Sequence, residues 1–359
     1  MADPVLDEVD YLLITALQHA PRAAWQKIGS LIGLDATTAA RRWDRLAGEG
    51  LAWLSCHPST AVMGDAVVAY IEIDCVRGRL HEVCEQLVED APLFSLEYVT
   101  GSRDLLLTVV LRSHADLARY VGFRLGGLEG VAATRTQLVT TLHVEGSRWR
   151  LDRLHGVVQG PAHMPERAPA ALGDADQALV LLLARDVRQS VERLARDSGL
   201  SPTTVRRRLA RLEAARAISY RCEAARAVSG WPVSATLWAA VPAADLNKAV
   251  AQLSGMRETR LCASLSGPCN LMMTVWLRSI DDIQPFEASL VQRIPGLEVR
   301  DRSVTLWQLK HAGQVLDPQG RLLRSVPLSY QWDDSDAGAA EAALLERMRT
   351  GEKTPPVHP

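Results

Sequence analysis

The sequence predicts an α+β fold built twice: two tandem copies of a winged or plain helix-turn-helix domain, each followed by a βαββαβ, ferredoxin-like domain. Three observations predict it. Residues 6 to about 145 recur, at a constant offset of 166, as residues 172 to about 311. The register needs no gap: it pairs Leu6 with Leu172, Asp10 with Asp176, Arg22 with Arg188, Thr37 and Thr38 with Thr203 and Thr204, Gly101 with Gly267, and Gly130 with Gly296. Such a register marks a duplicated unit, and a period this long gives two whole domains facing each other across a pseudo-two-fold axis rather than a solenoid. The second observation is that the front of each copy is rich in Leu, Ala and Arg at helical spacing. The third is that the rest of each copy alternates strand-like and helix-like stretches.

In the first copy, Leu6, Val9, Leu12, Leu13, Ala16 and Leu17 repeat at i, i+3, i+4, i+7, which predicts an amphipathic helix ended by Pro21. Trp25, Ile28, Leu31 and Ile32 predict a short second helix stopped near Gly33. Asp35 or Thr37 caps a third, running to Gly48 or Gly50. In the second copy Ser201-Pro202 supplies a cap followed by proline at the first helical position. Strands are then predicted at 66–73, 95–100, 105–112 and 132–144, with helices at 80–88 and 117–125 and a turn at 101–104. The second copy repeats this order from Val233 to Lys310. Such a sheet carries its helices on one face, and pairing the two sheets would bury the other. The predicted domains are 1–60 (helix-turn-helix), 61–150 (ferredoxin-like), 151–171 (a linker with three prolines), 172–227 (second helix-turn-helix), 228–316 (second ferredoxin-like domain) and a flexible tail, 317–359.

On the third helix, Thr38, Arg41, Arg42 and Arg45 share one arc, while Ala39, Trp43 and Leu46 share another. One face is thus apolar and the other carries donors only. The corresponding donors of the second copy are Ser201, Thr203, Thr204, Arg206, Arg207, Arg208 and Arg211. Arginine can bridge guanine O6 and N7 in the major groove or grip a phosphate bidentately, and threonines at a helix start sit where backbone N–H groups also attract phosphate. These residues, with Thr37, form the candidate interface with double-stranded DNA; the alternative for exposed arginines is a solvated face. Residues 6–57 hold five basic and six acidic side chains, net −1, and residues 174–221 hold ten and six, net +4. The second helix-turn-helix is therefore expected to carry most of the phosphate attraction, with the first contributing mainly register.

The chain has 359 residues, 47% of them hydrophobic, and a formal net charge of −2, so the molecule as a whole is no polycation. Its six cysteines form no CxxC pair, the N-terminus is acidic with no leader-like apolar run, and no apolar stretch reaches the ~18 residues of a spanning helix. The expected location is the cytoplasm, in association with the nucleoid, with no membrane partner. Cys56-His57 could open a metal site, but the second copy has Cys222-Glu223. No phosphate loop, GxSxG elbow or HExxH motif is present. The expectation is no metal, no cofactor and no catalytic residue.

The motifs resemble the Lrp/AsnC family of bacterial transcriptional regulators. The resemblance lies in Leu6-Asp7 with Asp10, Leu13 and Leu17, in Leu200-Ser-Pro-Thr-Thr-Val-Arg-Arg-Arg-Leu-Ala-Arg-Leu-Glu213, and in the turns Gly101-Ser-Arg-Asp-Leu105 and Gly267-Pro-Cys-Asn-Leu271. It implies a sequence-specific DNA-binding regulator modulated by a small molecule, commonly an amino acid, and forming homo-oligomers through the ferredoxin-like sheets. It also implies that the effector binds near the Gly-x-x-Asp turn, which gives Gly101, Arg103, Asp104, Gly267 and Asn270 as candidates. Arg103 and Cys269 stand where the family has Tyr, and Asn270 replaces Asp. The alternative for the glycines is a hairpin backbone with φ > 0, capped by Asp104. Two other functional readings remain. One is an enzyme resembling sirohaem decarboxylases of the same architecture, although segments 93–98 and 259–264 contain no histidine. The other is a regulator that uses only its second helix-turn-helix for DNA, the first binding a protein.

Overall fold

A computed structural model describes residues 6–59, 62, 66–145, 172–330, 332 and 334–351. The predicted linker lies outside the described residues. Each copy opens with three helices: α1 (Glu8–His19), α2 (Trp25–Ile32) and α3 (Ala36–Gly48) in the first, α6 (Asp174–Arg185), α7 (Val191–Ser198) and α8 (Pro202–Ala214) in the second. Asp7 caps α1 in a capping box with Asp10. Asp35, not Thr37, caps α3, and Ser201 caps α8 with Pro202 beside it. The tight turns between the last two helices use Gly33 (φ +75°) and Gly199 (φ +71°), equivalent positions where only glycine adopts the left-handed backbone without strain.

After the helices, β1 (Ala52–Pro58) and β6 (Ile218–Ala224) pair antiparallel with each other, Ala52 opposite Ala224 and Pro58 opposite Ile218. The two helical units thus share one ribbon.

The α/β parts follow as β2 (Val67–Cys75), α4 (Leu80–Leu87), β3 (Leu93–Val99), β4 (Leu105–Leu111), α5 (His114–Arg119, continued by a π-helical turn to Leu125) and β5 (Val131–Val144), then β7 (Val233–Ala240), α9 (Leu246–Ser254), β8 (Thr259–Leu265), β9 (Leu271–Leu277), α10 (Ile283–Arg293) and β10 (Glu298–His311). Strand order is β10-β3-β4-β2-β5-β8-β9-β7, and β7 also pairs with β10, which closes an antiparallel β-barrel. Two strands of 14 residues make the closure. The first half of β5 pairs with β2 and its second half with β8; the first half of β10 pairs with β7 and its second half with β3. The two sheets were expected to meet face to face. They join edge to edge instead, because these two strands are long enough to serve both halves. None of the eight barrel strands is left with an unpaired side, so an oligomer formed through these sheets has its counterpart inside one chain.

Alternation along the strands explains the layers. Ala69, Ile71 and Ile73 pack outward against α4 and α5, and Ala235, Leu237 and Ala239 against α9 and α10. Tyr70, Leu106, Trp238 and Met272 point inward and fill part of the barrel.

The segment expected to be a flexible tail is folded where it is described. β11 (Gln314–Leu316) and β12 (Leu322–Ser325) extend the sheet from β10, Trp332 is buried against Tyr120 at 5.1 Å, and α11 (Ser335–Thr350) is tied to the first half by Arg119 and Glu341 at 2.5 Å. The acidic, small-residue composition hid this, because the docking rests on scattered contacts: buried Val326, Trp332 and Ala337, the pairs Arg119–Glu341 and Arg324–Glu89, and the Ser329 N–H on the Ala91 carbonyl.

Candidate nucleic-acid interface and ligand cavity

The arginines of α3 and α8 divide into two sets. Arg42 donates to Asp7 and Asp10 at 2.8 and 2.9 Å, and Arg45 reaches Asp10 at 2.6 Å. In the second copy Arg208 donates to Asp176 at 2.8 Å and Arg211 to the same carboxylate. Asp10 and Asp176 are buried on α1 and α6, so these four arginines clamp the third helix of each unit onto the first. Arg41 and Arg207 are exposed at equivalent positions. Arg206 is exposed and pairs with Glu192 at 2.9 Å, a surface contact of small worth. Thr37 and Thr203 are exposed at the helix starts.

The helix starts differ in charge. The hydroxyl and amide of Thr38 hold the Asp35 carboxyl below its ordinary range. The α3 N-terminus therefore faces solvent with a fixed negative charge. At α8 the cap is the neutral Ser201, hydrogen-bonded to Thr204 at 2.9 Å. An anion such as phosphate is favoured at the second start and opposed at the first.

The two helical units are locked to each other across the pseudo-two-fold. Arg22 donates to the carbonyls of Val187 and Gln189, and Arg188 donates to those of Pro21 and Ala23 at 2.7 and 2.8 Å. These are equivalent pairs in the offset register. The Arg188 guanidinium also lies 3.8 Å from the centre of the Trp25 ring, and burial together with the charge of Arg22 lowers its proton affinity.

The Gly-x-x-Asp turns use their polar groups internally. Asp104 accepts from the backbone N–H of Cys75 at 2.7 Å; Asn270, its equivalent, accepts from the N–H of Val241 at 2.9 Å and donates to the Val241 carbonyl at 2.8 Å. Gly101 has φ +104°, whereas Gly267 lies against the side chain of Gln137. Arg103 is buried, 4.2 Å from the Trp238 ring centre, and pairs with Glu72 at 3.2 Å and with Asp301 of the other copy. It plugs that end of the barrel.

The other end is open inside. A cavity of about 100 Å³ lies under the β1–β6 ribbon, walled by Tyr70, Leu106, Phe94 and Trp276 and edged by His57, Arg221, Arg260 and His311. Glu223 is buried between Arg221 (2.8 Å) and Arg260 (2.7 Å), and although burial opposes its charge, the two guanidiniums pull its carboxyl down to about 2. Arg221 also donates to His311 Nε2 at 3.1 Å. Burial, and after it the positive field of Arg221, pushes both His57 and His311 toward the neutral form. The hydrogen bonds fix the tautomers. His57 Nδ1 faces the Pro58 carbonyl at 3.0 Å and must donate, which leaves Nε2 a bare acceptor; His311 Nε2 accepts, which leaves Nδ1–H a donor. Both remaining ring nitrogens are buried without a hydrogen-bond partner among the described residues.

Sequence reasoning did not find this cavity. One signal was available: His57 pairs with Glu223 in the repeat register, and Glu145 with His311. Imidazole and carboxylate have exchanged places between the copies, and all four side chains converge on one site.

The AsnC-type helix-turn-helix domain matches twice, at residues 6–47 and 172–213, and the Lrp/AsnC ligand binding domain matches residues 68–149. The chain belongs to the Lrp/AsnC family. Its duplication shows in the two helix-turn-helix matches, whereas the ligand-binding match falls on the first copy. Among its relatives is an uncharacterised HTH-type transcriptional regulator of Pyrococcus abyssi, 27% identical over 138 residues, which are 38% of this chain and 87% of the relative. Another is the HTH-type transcriptional regulator FL11 of Pyrococcus furiosus, 25% identical over 142 residues, 39% and 93% of the two chains. Over nearly the whole length, the fold of this Lrp/AsnC member is similar to that of the siroheme decarboxylase NirDL in complex with an iron-uroporphyrin III analogue. There the TM-score is 0.59 and the identity 12%, covering 95% of this chain and all of the other.

Proposed function

We propose that this Lrp/AsnC-type protein is a sequence-specific DNA-binding regulator of transcription that works as an intramolecular dimer and responds to a small molecule. In this reading each half of the barrel, ordered β3-β4-β2-β5 and β8-β9-β7-β10, is a ferredoxin-like sensing unit. The observation that carries the proposal is the reciprocal Arg22/Arg188 lock, which sets two recognition helices in a fixed relation without a second subunit. The helix α8 does most of the phosphate binding: it presents Arg206, Arg207, Thr203 and Thr204 behind a neutral cap. The helix α3, with Thr37, Thr38 and Arg41 behind a charged Asp35, contributes register. Arg42, Arg45, Arg208 and Arg211 build the domains and reach DNA only from their clamped positions. Selection from a random duplex pool tests the reading. Enrichment of one motif with two unlike half-sites is expected, and a pool left unenriched rejects it.

A small-molecule effector, with amino acids the class the family resemblance suggests, belongs to the same reading. The match of residues 68–149 to a ligand-binding domain supports it. The candidates for it are Gly101, Arg103, Asp104, Gly267 and Asn270, of which Arg103, Asp104 and Asn270 have internal partners in this structure.

One observation favours a second reading as an iron-tetrapyrrole protein. His57 and His311 are held neutral beside one cavity, and His57 presents a bare Nε2, the form in which imidazole ligates iron, in a fold similar to that of a siroheme decarboxylase. They lie on β1 and β10, outside the histidine-free segments 93–98 and 259–264 of β3 and β8. Titration with an iron porphyrin tests this reading: a shifted Soret band lost in His57→Ala supports tetrapyrrole binding, and an unchanged free-porphyrin spectrum excludes it.

A further inference from the structure

We propose that the barrel cavity is a binding site for a small aromatic carboxylate bearing a hydroxyl, and that such a ligand couples the barrel to the DNA-binding ribbon. The regulatory half of this statement rests on the function proposed above; the binding half does not.

The chemistry of the lining selects the ligand. At one edge the groups are donors: the guanidiniums of Arg221 and Arg260, which share the carboxylate of Glu223, and the unmet Nδ1–H of His311. An acceptor-only group, a carboxylate, satisfies that N–H, and the positive charge of the two guanidiniums, both already paired with Glu223, favours an anion beside it. The other nearby carboxylates do not compete for the role: Glu97 already accepts from Ser95 and Thr305, and Glu145 stands by His57. The walls are apolar and aromatic, which suits a flat body against Tyr70 and Phe94, while the ring of Trp276 carries the Arg260 guanidinium at 4.3 Å. His57 Nε2 is a buried acceptor without a partner among the described residues, and a ligand hydroxyl satisfies it. At about 100 Å³ the cavity exceeds what a single water needs several-fold.

The site also spans two parts of the fold. His57 is on β1 and Arg221 on β6, the ribbon that continues from the recognition helices; Arg260 and His311 are on the barrel strands β8 and β10. A ligand held by all four favours one placement of the ribbon on the barrel, which is what an effector must do to act at a distance.

The test is isothermal titration calorimetry of the full chain, without DNA, using 4-hydroxyphenylacetate, its amide and tyramine. Saturable binding of the acid is expected, with the amide and the amine at least ten-fold weaker. Arg260→Gln should remove the preference for the acid. Val110→Trp places in the first copy the ring that Trp276 supplies in the second and fills the cavity, so binding should vanish while the melting temperature holds. Should that variant not fold, Leu106→Phe fills the same space. No saturable binding of the acid, equal binding of tyramine, or undiminished binding in the filled variant each overturns the proposal. Because DNA is absent, these failures leave the regulator reading standing, and a failure to bind DNA leaves the ligand site standing.

Discussion

Arg22 and Arg188 occupy equivalent positions 166 residues apart, and each donates to the backbone carbonyls of the two residues flanking the other. The contact is what a two-fold dimer would make between subunits, carried out within one chain. Each arginine satisfies two carbonyls, so truncation leaves acceptors unpaired. Arg188→Ala, which also removes the stacking on Trp25, is expected to lower stability by about 1–3 kcal/mol. Arg22→Ala should cost somewhat less, and the double variant should cost less than the sum, because the two share one interface. Urea denaturation of the four proteins checks the cycle; full additivity would show that the two units are not coupled there.

The charge asymmetry of the helix starts predicts unequal DNA contacts. Arg206→Ala and Arg207→Ala together should reduce the slope of log K against log salt by up to about 2, at roughly 0.9 for each phosphate no longer neutralised. Arg41→Ala should change it by less than about 1, and Asp35→Ser should raise affinity by removing a negative charge from the α3 N-terminus. Equal slopes for the two helices would contradict the assignment.

Asp10 and Asp176 should behave as structural residues. Each is buried and accepts from two arginines, so Asp10→Ala or Asp176→Ala is expected to destabilise the protein by about 1–3 kcal/mol. Arg42, Arg45, Arg208 and Arg211 act mainly as clamps. Their replacement should therefore depress the melting temperature before it alters the salt dependence of DNA binding.

The three helices of each copy, the caps of α3 and α8 and the order of strands in the α/β parts were legible in the sequence, because periodicity, Ser/Asp caps and glycine stops are local signals; the ribbon of β1 and β6 was not. The closed barrel was not. It depends on β5 and β10 being long enough to pair on both sides, and pairing partners far apart in the chain leave no local trace. On the candidate interface, the helical arc puts Thr38, Arg41, Arg42 and Arg45 together on one face of α3. It does not show that Asp10, on another helix, claims two of them. The effector candidates were drawn from a motif, and the structure spends Asp104 and Asn270 on the ends of β2 and β7. The cavity groups are spread over β1, β6, β8 and β10, so only the exchange of His and Glu between copies hinted at their meeting.

Asp104 offers a direct comparison of a structural and a ligand-binding role. Asp104→Asn mimics Asn270, which makes the same bond to the strand end, so stability should change by less than about 0.5 kcal/mol, whereas Asp104→Ala should cost about 1–2 kcal/mol. If the Asn variant folds normally and loses a response to amino acids that the parent has, Asp104 holds a ligand ammonium; if the response is kept, its role is the turn.

Acidification should weaken the cavity region. His57 and His311 are neutral in the fold and bind protons less readily there than when unfolded, so the unfolded chain takes up more protons as pH falls. Their contribution is present above their ordinary value of about 6.5 and declines below it. Glu223, held at about 2, loses its contribution only as pH falls from the ordinary carboxylate range toward that value. Stability measured by denaturant titration should therefore drop between about pH 7 and pH 5, and His311→Gln should flatten that drop. A flat profile in the parent protein would rule out burial of neutral imidazoles.

In the proposed function one chain carries both of two unlike DNA readers. Genome-wide footprinting of the purified protein at moderate salt tests it most directly. Protected sites are expected to hold two unlike half-sites about one helical turn, roughly 10 base pairs, apart, with protection of the stronger half-site lost first when Arg206 and Arg207 are replaced. Protection no different from that of random competitor duplex would contradict it.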